Sequence, residues 1–427
     1  MMRKELLGRM FRTAAMIMII SMLAGACSKN NGPEKPEDNT GQTTGPGGNG
    51  SGDQGGSGDQ GNSGNEGGSG DEGGNEGGTS GGDHGGSGDS GSGGSGGSGD
   101  QGDQPKPQIT ANSWMTAIDD DTKIALLTIP GTHDAATSTC AGPGKCQTLT
   151  ISGQLEHGVR AFDLRPTMDD NSTLGNIYHS ILDTDVSMGD AMEYFDSFLK
   201  AHPGEGIIVI MRYESERQIL GSIAEDNYKT AMKNFLWNNR IYQSRMAAFN
   251  KSMTMKNLRG KILNISRNDQ SPVSTFETAY TQWSHSNSVG EALQIYGTGG
   301  LGRIYVQDMY SAEKNGNSSE ADFLAKKKEL VCKLLDITVP FREHEQNNWV
   351  INYCSGYAGS SFASDSYAKN AASTNPAALE HIKAHTGKGF TGIVMMDYAG
   401  TDTYEVGGSS FNVSGKSLTE ELILNNF

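Results

Sequence analysis

Seven times between residues 124 and 396 the chain makes a short apolar run and then ends it on a polar side chain. The runs are Ile124–Ile129, Val159–Leu164, Ile207–Met211, Lys261–Ile265, Arg303–Val306, Trp349–Tyr353 and Gly392–Met396. They are of the continuous type that belongs to strands covered on both faces, not the alternating type of a strand with one wet face. Amphipathic segments lie between them. In Ser187–Lys200, Met188, Met192, Phe195 and Leu199 recur at helical spacing, and His202-Pro203-Gly204 stops the helix. Asp322–Asp336 and Asn375–His385 show the same pattern. Strand and helix in alternation imply an α/β fold on a parallel sheet. Seven runs, not eight, predict a distorted or incomplete parallel (β/α)8 barrel of the TIM type, with a doubly wound open sheet as the alternative.

The polar ends of the runs say where chemistry would sit. Ile129 leads to His133 and Asp134, Val159 to Asp163 and Arg165, and Met211 to Arg212 and Glu214. The later runs end at Arg267, Asp308, Asn352 and Asp397. In a closed parallel barrel these ends converge on one rim, where such barrels carry their active sites.

The rest of the chain cannot share this core. Thirty of the 59 glycines fall between Gly41 and Gln104, with ten acidic residues and no lysine or arginine. Nothing in that tract opposes conformational entropy, so residues 27–107 are expected to form a flexible, self-repelling linker ahead of a catalytic unit at 108–427. The formal charge of -16 divides into +2 for residues 1–40, -10 for 41–104 and -8 for 105–427. A mildly acidic domain argues against a nucleic-acid surface and remains compatible with a phosphate pocket made from a few arginines. Residues 1–26, with Arg3, Lys4, Arg9 and Arg12 ahead of the apolar run Ala14–Met22, have the form of an export signal. Its apolar part is too short to span a bilayer. The ending Leu-Ala-Gly-Ala-Cys is similar to a bacterial lipoprotein cleavage site, with Leu23 one residue farther from the cysteine than usual. It would make Cys27 the lipidated first residue of an exported protein tethered to a bacterial, outer-type membrane. Plain secretion, with Cys27 discarded, is the alternative. Of the remaining cysteines, Cys140 and Cys146 could close a short disulfide or stay as thiols, and the absence of a Cys-x-x-Cys pair argues against a thiolate zinc site.

Cleaving a phosphodiester without a metal needs a base for the attacking hydroxyl, an acid for the leaving oxygen and cations for the phosphate. Two histidines and an arginine supply these when their surroundings separate the two histidine pKa values. The words PGTHD (130–134), HGVRAFDLR (157–165), Tyr178-His179, PGEGIIVIMRYE (from 203), GKI followed by Arg267, VQDMY (306–310) and MDY (396–398) stand in order along the chain. Together they make the segment from Trp114 to about Tyr398 resemble the bacterial phosphatidylinositol-specific phospholipases C. That resemblance implies His133 as the base acting on the inositol 2-hydroxyl, with Asp397 as its carboxylate partner, and His179 as the acid. Arg165 would hold the phosphate, Asp134 would hold Arg165, and Asp163 would support both. Arg212, Glu214, Arg267 and Asp308 would bind the inositol ring, with Tyr310 stacking on it. The implied substrate is phosphatidylinositol in membranes, and whether glycosylated phosphatidylinositol anchors are also substrates is left open. No cofactor is implied, and the enzyme would act as a monomer.

Arg212 stands where the bacterial relatives have lysine, and Ser180 where glycine is usual. The calcium-dependent relatives have a carboxylate where Arg165 stands, so the resemblance points to the metal-independent branch. Two rivals remain at this level: a metal-dependent glycerophosphodiester-type phosphodiesterase and a non-catalytic barrel binding lipid or glycan. Other signals are weaker. His381 and His385 share a predicted helix face but lack a nearby third ligand, and His157 is expected to pack or cap beside the following strand. Gly415-Lys416-Ser417 lacks the first glycine of a P-loop, since Ser410 stands there, and no G-x-S-x-G elbow follows an apolar run.

Overall fold

The computed structural model describes residues 109–427 apart from 170–172, 215–224, 268–278, 284, 287 and 312–318. The export signal, Cys27 and the glycine-rich tract lie outside the described residues. All seven expected runs contribute strands: β1 (Thr128–Thr132), β2 (Ala161–Leu164), β6 (Ile207–Met211), β7 (Ile262–Ser266), β10 (Gly300–Gln307), β11 (Asn348–Tyr353) and β12 (Gly392–Met396). Two further strands, β8 (Ala279–Tyr280) and β9 (Glu291–Gly297), complete a closed barrel in the order β1-β12-β11-β10-β9-β8-β7-β6-β2. Outside the ring stand a three-stranded sheet of β3 (Pro166–Met168), β4 (Leu174–His179) and β5 (Leu182–Ser187), and a hairpin of β13 (Thr403–Val406) and β14 (Ser409–Asn412).

The barrel is distorted at one place. Strand β9 runs antiparallel to both β8 and β10, whereas the other neighbours in the ring pair in parallel. A hairpin replaces a helical crossover between β9 and β10, so β9 alternates between partly covered and exposed positions, with Ile295 its one buried residue. That alternation is why an apolar-run criterion misses it. The first strand is displaced for a different reason. Ile124–Leu126 form a 3-10 turn, and β1 instead spans Thr-Ile-Pro-Gly-Thr, with two residues that strands disfavour. The glycine is required by packing: a Cβ on Gly131 would stand 2.4 Å from Met395 Sδ and 3.1 Å from Ala161 Cβ.

Burial on both faces divides the covered strands between two cores. Along β6, Ile207, Val209 and Met211 pack outward with Phe195 and Leu199 of the helix Met188–Ala201, while Ile208 and Ile210 point inward with Leu263, Ile265, Ile304, Ile351 and Met395. Ser187 caps that helix in a reciprocal capping box with Asp190. The helix Glu320–Thr338 begins in the same way at Ser319, so its start falls earlier than the apolar periodicity alone indicates. The third expected helix runs Ser366–Ala384, nine residues longer at its N-terminal end, because Pro376 lies inside the helix and does not begin it. At the base of the barrel the buried Arg160 and Glu205 pair at 2.8 Å, and Glu205 also accepts from the backbone of Met115 and Thr116. Cys140 and Cys146 are both free thiols, which decides the disulfide question against a bridge.

Candidate active site

The strand ends do gather the predicted residues, but by three routes. His133 and Asp134 follow β1, Asp163 ends within β2, Arg165 follows it, Arg212 and Glu214 follow β6, Arg267 follows β7, Asp308 and Tyr310 follow β10, and Asp397 follows β12. His179 comes from elsewhere: it is the last residue of β4, on the small sheet inserted after β2, and is not on a barrel strand. The chain then turns at Ser180 with φ +55°, a left-handed conformation that explains the glycine of the relatives at this place. Asp134, φ +44°, turns just as sharply at the end of β1 and brings its carboxylate back across the site.

Asp134 is the centre of the arrangement. Its Oδ2 lies 3.3 Å from His133 Nε2 and 3.5 Å from His179 Nε2, and its Oδ1 lies 3.0 Å from Arg165 Nε. Burial, which opposes ionisation, is outweighed by Arg165, His133, His179 and Arg212, so the Asp134 carboxyl is lowered to about 2. On the far side of His133, Nδ1 hydrogen-bonds Asp397 Oδ1 at 2.8 Å. A carboxylate at Nδ1 keeps the hydrogen there and leaves the Nε2 lone pair free to take a proton. Burial by itself disfavours the imidazolium, yet the carboxylates of Asp134 and Asp397 outweigh it and raise the His133 pKa above its ordinary value. Gln147 holds the backbone that carries the ring, its Nε2 donating to the main-chain oxygens of His133 and Met396 at 2.8 and 2.9 Å.

Arg165 is clamped along one edge, through Nε and Nη2. Its Nη2 lies 2.9 Å from Asp163 Oδ2 and its Nε 3.0 Å from Asp134 Oδ1, while Nη1 is 3.9 Å from Glu214 Oε2. Asp163 is therefore a direct partner of the guanidinium, and a phosphate oxygen can approach at Nη1. Beyond it, Arg267 pairs with Asp308 at 2.8 Å, and the Trp283 indole donates to the same Asp308 oxygen at 3.0 Å. The Arg267 guanidinium lies 4.3 Å from the Trp283 ring centroid and 5.8 Å from that of Tyr353. Burial pushes the half-buried Arg212 pKa down, and Arg267 and Arg165 push it the same way. Tyr310 stands half-buried at the rim, its ring edge-on to His285 at 4.9 Å.

Sequence reasoning missed Gln147, Trp283, Tyr353 and Tyr367, whose hydroxyl is 3.0 Å from His179 Nε2. Apart from Tyr353, they come from loops and a helix start that carry no strand pattern. The weaker signals resolve as structural. His381 bonds Asp336 at 2.9 Å, and His157 caps the helix Ile151–Glu156 through the Gly153 carbonyl. Among the described residues, His133, Asp134 and Cys146 form a group that could hold a metal ion, with ligand atoms within 4.8 Å of one another. It suits a cation poorly, because Arg165 already stands against Asp134 and burial keeps the Cys146 thiol well above its ordinary pKa.

No protein-family model matches the chain. Two curated Staphylococcus aureus proteins named 1-phosphatidylinositol phosphodiesterase are 26% identical over 299 residues, covering 67% of this chain and 88% and 84% of the relatives. A Listeria monocytogenes protein of the same name is 35% identical over 171 residues, 38% of this chain and 51% of the relative. Among solved structures, a phosphatidylinositol-specific phospholipase C from S. aureus superposes with a TM-score of 0.58 at 25% identity over 74% of this chain and 97% of that one. The Listeria monocytogenes enzyme does so with a TM-score of 0.51 at 22% identity over 75% and 100%, which bears on the fold alone. In sequence and in fold, the chain is a homologue of the bacterial phosphatidylinositol-specific phospholipases C.

Proposed function

We propose that the chain is a phosphatidylinositol-specific phospholipase C that releases diacylglycerol and an inositol cyclic phosphate by base and acid catalysis from two histidines. The observation that carries this reading is the pair of rings on either side of Asp134, one with a carboxylate behind it and the other without. His133 Nε2 takes the proton of the inositol 2-hydroxyl, whose oxygen attacks the phosphorus. Asp397 stabilises the imidazolium that results. The phosphorus–oxygen bond to diacylglycerol breaks, and His179 supplies the proton to the departing oxygen. Arg165 meets the charge that builds on the phosphate oxygens, where a preset guanidinium is worth more than it would be in water. Arg212, Glu214, Arg267, Asp308 and Tyr310 surround the ring. Glycosylated phosphatidylinositol anchors share this headgroup and fall in the same substrate class. Cleavage of phosphatidylinositol vesicles with no cleavage of phosphatidylcholine vesicles supports the proposal; equal action on both contradicts it.

The pH profile carries a signed expectation. The base must be neutral to act, so the rate falls as pH drops through the raised His133 value. Asp397→Asn removes one of the charges that raises it, and the acid limb of kcat/KM moves to lower pH. The plateau rate also falls, by up to about 10⁴-fold where the wrong tautomer is favoured. An acid limb that stays in place or moves up would detach Asp397 from the base.

The N-terminal sequence extends the proposal to location. Cys27 is a lipid-anchor site, and the roughly 75 residues that follow it let a monomeric barrel search a surface within about 50 Å by random-coil scaling. No helix among the described residues is long and apolar enough to cross a membrane. Cys27→Ser is expected to move the protein from the membrane to the soluble fraction; unchanged fractionation would refute the anchor.

A further inference from the structure

His179 is held at both ring nitrogens. Nδ1 lies 2.9 Å from the Gly144 carbonyl oxygen, which only accepts, so Nδ1 keeps its hydrogen in either charge state. The proton that can be given away is therefore on Nε2. The nearest side-chain partners of Nε2 are the Tyr367 hydroxyl at 3.0 Å and Asp134 Oδ2 at 3.5 Å. Tyr367 is 5% exposed and packs with Cys146, Ala368, Ala371 and Tyr398. Its ring stands edge-on to His179 at 5.3 Å and 6.5 Å from His133. The helix Ser366–Ala384 that carries it is tied down at its first residue, Ser366 Oγ donating to the Ala358 oxygen at 2.6 Å.

The two partners of Nε2 differ in kind. A carboxylate only accepts, so Asp134 favours the protonated ring alone. A phenol accepts from Nε2–H while the ring is an imidazolium, and donates to the bare nitrogen once the proton has gone. Burial pushes the Tyr367 pKa well up, so the hydroxyl keeps its own hydrogen throughout.

We propose that Tyr367 is a positioning residue for the acid, holding His179 Nε2 toward the leaving oxygen before and after proton transfer; the inference rests on His179 being that acid. In the step concerned, the bond from phosphorus to the diacylglycerol oxygen breaks. Its electron pair stays on that oxygen, and the Nε2 proton moves to it. The imidazolium becomes neutral imidazole, and the Tyr367 O–H turns to donate to Nε2. The leaving oxygen enters beside the Tyr367 hydroxyl.

The test uses the full chain and two substrates that differ only in how much the departing group needs a proton. Phosphatidylinositol leaves a strongly basic alkoxide. The 4-nitrophenyl phosphodiester of inositol leaves a stabilised phenolate that departs unprotonated. Tyr367→Phe is expected to lower kcat on phosphatidylinositol by about 10- to 100-fold, the range for a lost hydrogen bond to a charged group. KM should stay within about twofold, and the nitrophenyl ester should lose less than about threefold in rate. Equal losses on both substrates would mean a packing role and overturn the proposal, as would no loss on phosphatidylinositol. His179→Ala on the same pair separates the two levels of inference. If it loses equally on both, the acid assignment itself fails. If it loses selectively and Tyr367→Phe does not, the acid stands and Tyr367 does not position it.

Discussion

His133→Ala is expected to lower kcat on phosphatidylinositol vesicles by on the order of 10³- to 10⁴-fold, the upper part of the range for a positioned proton acceptor. In the proposed mechanism this ring takes the proton of the attacking hydroxyl at Nε2, because Nδ1 is committed to Asp397 at 2.8 Å. KM should change little, since the proposed inositol contacts are with Arg267 and Asp308, which pair with each other, and with their neighbours on the other strands. Steady-state kinetics on the variant check both figures. A loss below about tenfold would mean that another group serves as base, and a rise in KM that accounts for the whole effect would make His133 a binding residue.

Arg165→Lys is the second large effect. Lysine keeps the positive charge that Asp134 and Asp163 require, so the fold should survive. It loses the planar fork that lets one edge hold the two carboxylates and leaves Nη1 for the proposed phosphate contact. The expected fall in kcat is about 10²- to 10³-fold, comparable with removing one donor from a preset oxyanion site. Arg165→Ala goes further, because it leaves two buried carboxylates without their cation, and an uncompensated buried charge costs about 3–5 kcal/mol. The lysine variant therefore reports on catalysis, and the alanine variant also reports on stability through its denaturant midpoint. A lysine variant with near-normal kcat would remove Arg165 from the chemistry.

The parts of this fold that a linear reading reveals are those in which one local rule decides the outcome. Strand β6 is apolar at every position because it is covered on both faces, and so it stands out. Strand β9 does not, because it pairs in a hairpin and alternates between partly covered and exposed positions. Strand β1 is hidden by Pro130 and Gly131, and the place of the glycine follows from close contact with Met395 and Ala161. The site divides in the same way. Charged residues that follow barrel strands were visible from position alone, whereas His179 needed the family resemblance, since it reaches the rim on a separate hairpin. Tyr367, Trp283 and Gln147 are neutral, and their importance lies in which atoms they meet across 14 to 249 residues of sequence, which no local pattern encodes.

In the proposed reaction a hydroxyl of the substrate's own inositol attacks the phosphate, with two histidines moving protons and an arginine standing where a metal would otherwise be. Phosphorus NMR of phosphatidylinositol during turnover, run with and without EDTA, tests it directly. The resonance of a five-membered cyclic inositol phosphate is expected to appear first, at the same rate in chelator. A first product that is an acyclic inositol phosphate, or turnover abolished by EDTA, would contradict it.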